Sequence, residues 1–296
     1  MQDEYGNIFF HRLKWAYLLL VVLTLMSPVF YVMYISFNEF GFGAGRYAFT
    51  LDWYQTIFTD KLLLGALGWT LLLASITTVI VVPLGLLAAK FYKHTAYKVA
   101  TVSLLLEPLF VPSDILGSAL LVYFKNLNRA MQSLSDWLGN EWFYGWFDLG
   151  FMTAILGLIV YTLPYVFIVI LITMARYRDQ QTEAARACGA TPWRAFWDVE
   201  FPQIRPGILS SCAFAVILTF NEYTRTSLLK GGFDTFTTVL ISQLLNEGVS
   251  EQSYAMSSFV SFVAIAVIGL IIVYTLIMSE RLEREARAKA QPLMAE

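Results

Sequence analysis

Residues 183–197 read EAARACGATPWRAFW, and this stretch lies between two long apolar segments. Residues 180–188 are rich in helix formers, and Gly189 can adopt the left-handed conformation that ends a helix. Thr191-Pro192 then marks a helix start, because threonine is a good N-cap and proline suits the first helical position. The stretch therefore predicts a short helix, a sharp break and a second short helix, which the prolines at 202 and 206 are expected to end.

The composition indicates a membrane protein. Of the 296 residues, 57% are hydrophobic and only 14% are charged, and the mean hydropathy is +0.60. Soluble domains carry about 25% charged residues, so this chain is too poor in charge to be one. The net charge of −2 also argues against nucleic acid as a partner, since nucleic-acid-binding proteins concentrate basic residues.

Six apolar segments are long enough to span about 30 Å of hydrocarbon at about 1.5 Å per residue. The predicted fold is therefore all-α, a polytopic membrane protein with six transmembrane helices. The expected spans are residues 15–37, 64–89, 99–124, 151–174, 207–229 and 254–278.

Three parts of the chain follow from these spans. Residues 1–62 hold the N-terminal segment, the first span and a loop, residues 63–279 form a core of five spans, and residues 280–296 form a tail expected to extend the last helix. Residues 125–150, which are rich in tryptophan and phenylalanine, are expected to form a short helix at the membrane surface.

Basic residues indicate the orientation of the chain. Fourteen of the 20 Lys and Arg residues fall in the segments that share a side with the N-terminus. Cytoplasmic loops carry the excess of Lys and Arg, so both termini and the loop at residues 176–207 are expected to be cytoplasmic.

The order of residues in the 176–207 loop resembles a known signature. The EAA sequence at 183–185 is followed three residues later by GA at 189–190, then by an aromatic residue and by a P-x-x-x-P-G-I ending at 202–208. This order is similar to the cytoplasmic loop of permease subunits of bacterial type I ABC importers, the MetI-like superfamily. The sequence FTLDWYQTIF at 49–58 further resembles the second permease of the spermidine/putrescine branch.

The resemblance implies a non-catalytic subunit of the bacterial inner membrane that forms the pathway for a small solute. Its implied partners are an ABC ATPase dimer, a second permease subunit, expected to give a heterodimer, and an extracytoplasmic binding protein. The chain itself is expected to bind no cofactor, with ATP and Mg held by the ATPase. A polyamine or related cationic compound is the expected solute, and the alternatives are iron(III), a phosphonate, thiamine, an opine or an amino acid.

The resemblance also implies which residues couple the chain to its ATPase. Glu183 would contact the ATPase or brace the loop, the two alanines after it would allow close approach, and Gly189 would set the angle between the two short helices. The expected coupling residues are Glu183, Ala184, Ala185, Arg186, Gly189, Ala190 and Arg194.

Ionisable residues inside the predicted spans point to the solute pathway. A charge at the bilayer centre costs about 2.5–3.5 kcal/mol on insertion scales, so such residues usually face a cavity, a partner or each other. The expected pathway residues are Asp114, Asn221, Glu222, Tyr223 and Arg225. Two alternatives stay open: Glu222 and Arg225 neutralise each other, or Asp114 bonds backbone groups that Pro112 frees.

The sequence offers no basis for an enzyme. It contains no Walker A motif, no His/Cys/carboxylate cluster with metal-ligand spacing and no nucleophile motif. A rival hypothesis from another class is a self-sufficient secondary transporter. Such transporters usually show inverted repeats, and no convincing internal repeat is visible in this sequence.

Overall fold

A computed structural model describes residues 2–40 and 45–290. The all-α class is confirmed in that part of the chain, where a 3₁₀ turn covers Glu141–Phe143 and a π-helical stretch covers Ala195–Glu200. The α-helices are α1 (Gln2–Ile35), α2 (Asp52–Thr59), α3 (Lys61–His94), α4 (Lys98–Phe110), α5 (Ser113–Leu138), α6 (Phe151–Ala175), α7 (Asp179–Ala187), α8 (Pro192–Arg194), α9 (Phe201–Phe220), α10 (Thr224–Leu229), α11 (Phe236–Asn246) and α12 (Glu251–Ala290).

Several of these helices are long and apolar enough to cross a membrane. Five single helical segments of the described chain qualify: His11–Ile35, Lys61–His94, Phe151–Ala175, Pro192–Phe220 and Glu251–Tyr274. A sixth crossing exists if α4 and α5, which are bent by 104° to each other, count as one span. The polytopic class is confirmed, and the number of six spans stays a prediction.

The third predicted span, residues 99–124, is not one continuous helix. Val111 ends α4 in an extended conformation with ψ of 126°, and Pro112 with ψ of 142° precedes the first residue of α5. A proline disfavours helical geometry in the residue before it, which explains the break at Val111. Asp114 therefore lies in the first turn of a new helix.

The fifth predicted span also differs from the structure. Pro202 and Pro206 do not end a short helix, because the chain is helical from Pro192 to Phe220. The π-helical stretch shifts the hydrogen-bond register just before Pro202, where a backbone donor is missing. The helix instead ends at Phe220, well before the predicted limit at Leu229.

The segment at residues 125–150 is only partly as predicted. Helix α5 continues through it to Leu138, and Gly139 ends the helix with a φ of 63°. The 3₁₀ turn follows, so there is no separate surface helix in this segment. The aromatic side chains are nevertheless exposed, Trp137 at 81% and Trp142 at 67%.

The described chain divides into two compact units. One takes the residues up to Leu64 together with Leu240–Phe262, and the other takes Gly65–Val239 together with the residues from Val263 onward. In the first unit the indole Nε1 of Trp53 donates to the Asn38 carbonyl over 3.2 Å, which ties α2 to the end of α1. The tail predicted at 280–296 is helical up to Ala290, and the residues after it lie outside the described range.

The second unit has an apolar core built from α3, α6 and α9. Val81 of α3, Phe167 and Ile170 of α6, and Ile204 of α9 are each at most 1% exposed. Helices α6 and α9 pack closely at Gly207, where an added Cβ would lie 2.1 Å from the hydroxyl oxygen of Thr173. The glycine is therefore required by the contact between the two helices that flank the 176–207 loop.

Gly207→Ala is expected to destabilise the protein by about 1–3 kcal/mol, because α6 and α9 must separate to admit the methyl group. Thermal unfolding of the purified protein in detergent measures this cost. Gly68→Ala on α3 is the matched control, since nothing lies within 4 Å of its added Cβ. Equal melting temperatures for the two variants would contradict the assignment of Gly207 to helix packing.

Candidate functional site

The 176–207 loop contains the helix, the break at Gly189 and the second helix start that its sequence predicts. After α7, Gly189 has a φ of 90°. The amide of Gly189 donates to the Arg186 carbonyl and that of Ala190 to the Ala185 carbonyl, each over 3.0 Å. These two bonds form a Schellman motif, the usual end of a helix at a left-handed glycine. Thr191 then caps α8, because its hydroxyl oxygen accepts from the Arg194 amide over 3.3 Å.

The expected coupling residues lie together on this loop, and most of them are accessible. Ala185 and Ala190 are half-buried, and the remaining five, Glu183, Ala184, Arg186, Gly189 and Arg194, are exposed. Within the described residues neither arginine has a carboxylate within salt-bridge distance. The loop therefore offers an accessible surface of mixed charge that the described residues leave uncovered.

Two tryptophans that were not among the expected coupling residues extend this surface. Trp193 is 70% exposed and Trp197 is 42% exposed. Their ring centroids lie 5.5 Å apart in an edge-to-face arrangement. Large aromatic side chains are enriched at protein–protein interfaces. The presence of two tryptophans in a charged loop was therefore the sequence signal for this part of the surface.

The buried charges lie at the break between α9 and α10. The Glu222 carboxylate accepts from the Arg225 guanidinium over 2.8 Å and from the Arg225 backbone amide over 3.0 Å. Their side chains are only 8% and 3% exposed. The guanidinium carbon also lies 4.1 Å from the ring centroid of Tyr161 on α6, a cation–π geometry. The alternative in which Glu222 and Arg225 neutralise each other is thus the arrangement that the structure contains.

The other expected pathway residues are more open. Asn221 is exposed at the end of α9, and Tyr223 is half-buried just before α10. Asp114 is exposed on α5, on an open groove with a cavity volume of about 710 Å³ that Ser118 and Asn126 also line. The structure thus joins Glu222 to Arg225 and gives Asp114 no ionic partner among the described residues.

The family of this chain follows from its sequence over the same region. The family model described as "Binding-protein-dependent transport system inner membrane component" matches residues 81–287, well over half of the chain. The chain belongs to this family. The matched range contains the 176–207 loop and both broken spans, so the permease carries its candidate sites within the family domain.

Curated relatives agree with this assignment. The permease is similar to the putrescine transport system permease protein PotI of Escherichia coli strain K12, with 25% identity over 269 residues that cover 89% of this chain and 90% of that protein. It is also similar to the sulfate transport system permease protein CysW of Synechocystis sp. strain PCC 6803, with 26% identity over 271 residues that cover 89% of each.

A solved structure has the same fold. A bacterial alginate ABC transporter in complex with an alginate pentasaccharide-bound periplasmic protein contains a chain that matches with a TM-score of 0.65 and 18% identity. The match covers 95% of the permease and 97% of that chain. The family match and the curated relatives confirm the predicted resemblance to ABC importer permeases, and the solved structure confirms the fold.

Family membership decides between the function classes. The permease is a transport component of an ABC importer of the inner membrane and not a catalyst. The rival hypothesis of a self-sufficient secondary transporter is not supported, because the family works as part of a binding-protein-dependent system.

Proposed function

We propose that the permease pairs with a second permease subunit over an ABC ATPase dimer and forms one half of the solute pathway. The ATPase subunits bind ATP and Mg, and they contact the permease through its 176–207 loop. An extracytoplasmic binding protein delivers the solute on the opposite side. Both termini lie in the cytoplasm together with the loop, in accordance with the distribution of Lys and Arg.

The observation that carries this proposal is the accessible, rigid break in the loop. Gly189 and the Schellman motif fix the angle between α7 and α8, and Glu183, Arg186 and Arg194 project from it without ionic partners among the described residues. A preformed surface of this kind loses little conformational freedom when a partner binds. Movement of the ATPase subunits then shifts the loop as a unit and drives the spans between two states.

Purification of the tagged permease from its native membranes tests the assembly. An ATPase and a second permease are expected to co-purify, and vesicles containing the complex are expected to take up solute only with ATP and the binding protein. Substitution of Arg186 and Arg194 by Ala is expected to weaken ATPase retention more at low salt than at high salt, because exposed charges are screened. Solute uptake by the permease alone would contradict the proposal.

A polyamine or related cationic amine is the solute class that we propose. Asp114 supports it, since this carboxylate is exposed on the α5 groove and has no ionic partner in the described chain. Glu222 is a weaker candidate for contact with the solute, because Arg225 already neutralises it. Sulfate is the second candidate, since a relative at similar identity is named as a sulfate permease.

Asp114→Asn is expected to raise the KM for amine uptake about tenfold, because one charge-assisted contact contributes about 1.4 kcal/mol or more. Uptake of labelled putrescine and of labelled sulfate by the intact complex measures the effect. Asp136→Asn is the matched control on the same helix, where the carboxylate accepts from Tyr144 outside the groove. Sulfate uptake by the wild type, or an unchanged KM for putrescine in Asp114→Asn, would contradict the assignment of the solute class.

A further inference from the structure

The last turns of α3 hold one end of the 176–207 loop through Lys90. The ammonium nitrogen of Lys90 lies 2.9 Å from Glu200 Oε1 and 3.0 Å from Glu200 Oε2. It also lies 4.1 Å from the ring centroid of Phe196. The Glu200 side chain is only 10% exposed and belongs to the π-helical stretch that leads into α9. This contact joins residues 110 positions apart in the sequence.

Lys93, one helical turn further along α3, holds the other end of the loop. Its ammonium nitrogen lies 2.6 Å from Asp179 Oδ1 and 3.2 Å from the carbonyl oxygen of Tyr177. Tyr177 follows the end of α6, and Asp179 is the first residue of α7. A cation is favoured at the end of one helix and an acidic group at the start of the next. Lys93 thus fixes the junction from which α7 leaves the bundle.

The two contacts have a common geometry. Lys90 and Lys93 share one face of α3, since residues three apart on a helix are neighbours. Between their partners, Asp179 and Glu200, the loop makes its accessible turn around Gly189. Both ends of the accessible part of the loop are therefore attached to the same end of α3, a helix that is remote from it in sequence.

We propose that Lys90 and Lys93 are positioning residues that transmit movement of the loop to α3 as well as to α6 and α9. The proposal rests on the coupling role proposed above for the loop. In this arrangement a displacement of the loop moves α3, α6 and α9 together, so that the three helices move as a rigid group. Without the two lysines only the apolar contacts link the loop to α3, and less of the loop's movement reaches that helix.

The apolar core makes this role separable from folding. Ala89 of α3, Tyr177 after α6 and Ile204 of α9 are each at most 7% exposed in one core cluster. These contacts hold the three helices together without the ion pairs, so loss of one lysine is compatible with a folded permease. The polar contacts add directional links at the two ends of the loop.

The test measures ATP hydrolysis and solute uptake together in vesicles that contain the whole importer complex. Lys90→Met and Lys93→Met are each expected to lower the amount of solute moved per ATP by about fivefold, the low end of coupling between sites. Exchange of the pair in Lys90→Glu with Glu200→Lys is expected to restore part of the loss. Lys98→Met is the matched control, because that lysine is exposed and has no carboxylate within salt-bridge distance in the described chain.

Two results would overturn the proposal. One is an unchanged ratio of solute to ATP in Lys90→Met and Lys93→Met complexes. The other is a parallel fall of both activities that follows the amount of assembled complex, which would make the lysines structural only. Failure of the proposed function has a different signature, because the wild-type permease would then retain no ATPase or show no ATP-dependent uptake.

Discussion

Importer complexes with Gly189→Asp are expected to assemble and to hydrolyse ATP, but to transport solute about tenfold more slowly than wild type. Nothing lies within 4 Å of a Cβ added at Gly189, so the side chain itself meets no obstacle. The φ of 90° is the difficulty, since a left-handed conformation costs a residue with a Cβ up to about 1–2 kcal/mol, and less for aspartate than for most residues. The chain can relieve this strain by changing the angle between α7 and α8. The surface proposed to meet the ATPase would then be misaligned.

Charge adds to the effect of Gly189→Asp. The new carboxylate would lie at the C-terminal end of α7, where the helix dipole disfavours a negative group. Gly189→Asn is the matched control, because asparagine is similar in size, carries no charge and, like aspartate, tolerates left-handed conformations better than most residues. Its transport is expected to fall between those of wild type and Gly189→Asp. An assembled Gly189→Asp complex that transports at the wild-type rate would contradict a coupling role for the helix break at Gly189.

Arg225→Met is expected to destabilise the permease by about 3–5 kcal/mol, the usual cost of leaving a buried charge without its partner. Glu222 would keep only the backbone amide of residue 225 as a donor, and its side chain is 8% exposed. The same contacts fix the break between α9 and α10, so the variant is also expected to loosen the end of α9. Thermal unfolding of the purified complex measures the loss.

Two further variants separate charge from packing at this break. The double variant Glu222→Gln with Arg225→Met removes both charges and is expected to be more stable than Arg225→Met alone. Tyr161→Phe keeps the aromatic face 4.1 Å from the guanidinium and is expected to change stability little. A double variant no more stable than Arg225→Met would show that an unpaired carboxylate is not the cause of the loss.

The two broken spans are features that a hydropathy profile does not reveal. Residues 99–124 and 207–229 are continuous apolar runs with prolines or polar residues inside them, and each reads as one span by length alone. In the structure the first run is interrupted at Val111 and Pro112, between α4 and α5, and the second at residues 221–223, between α9 and α10. Proline explains the first interruption, because it disfavours helical geometry in the residue before it. Proline alone does not predict a break, since Pro202 lies in a helix that continues from a π-helical stretch.

A buried segment between the last two predicted spans was not predicted. Helix α11 begins at Phe236, which is fully buried, and the Phe236 amide donates to the Thr70 hydroxyl oxygen on α3 over 2.8 Å. Thr237 likewise donates from its hydroxyl to the Phe220 carbonyl over 2.7 Å. The partners in these two hydrogen bonds lie 166 and 17 positions apart in the sequence. No local sequence pattern therefore predicts them.

The sequence by itself determined the membrane class, the family and the helix break at Gly189 in the 176–207 loop. Each of these depends on composition or on interactions within about five residues, such as the Schellman bonds to Gly189 and Ala190. Only the tertiary structure decided that Arg225 reaches Tyr161 on α6, and that Lys90 and Lys93 hold the two ends of the loop. Those contacts join helices that are distant in sequence, and helix packing alone brings the contacting groups together.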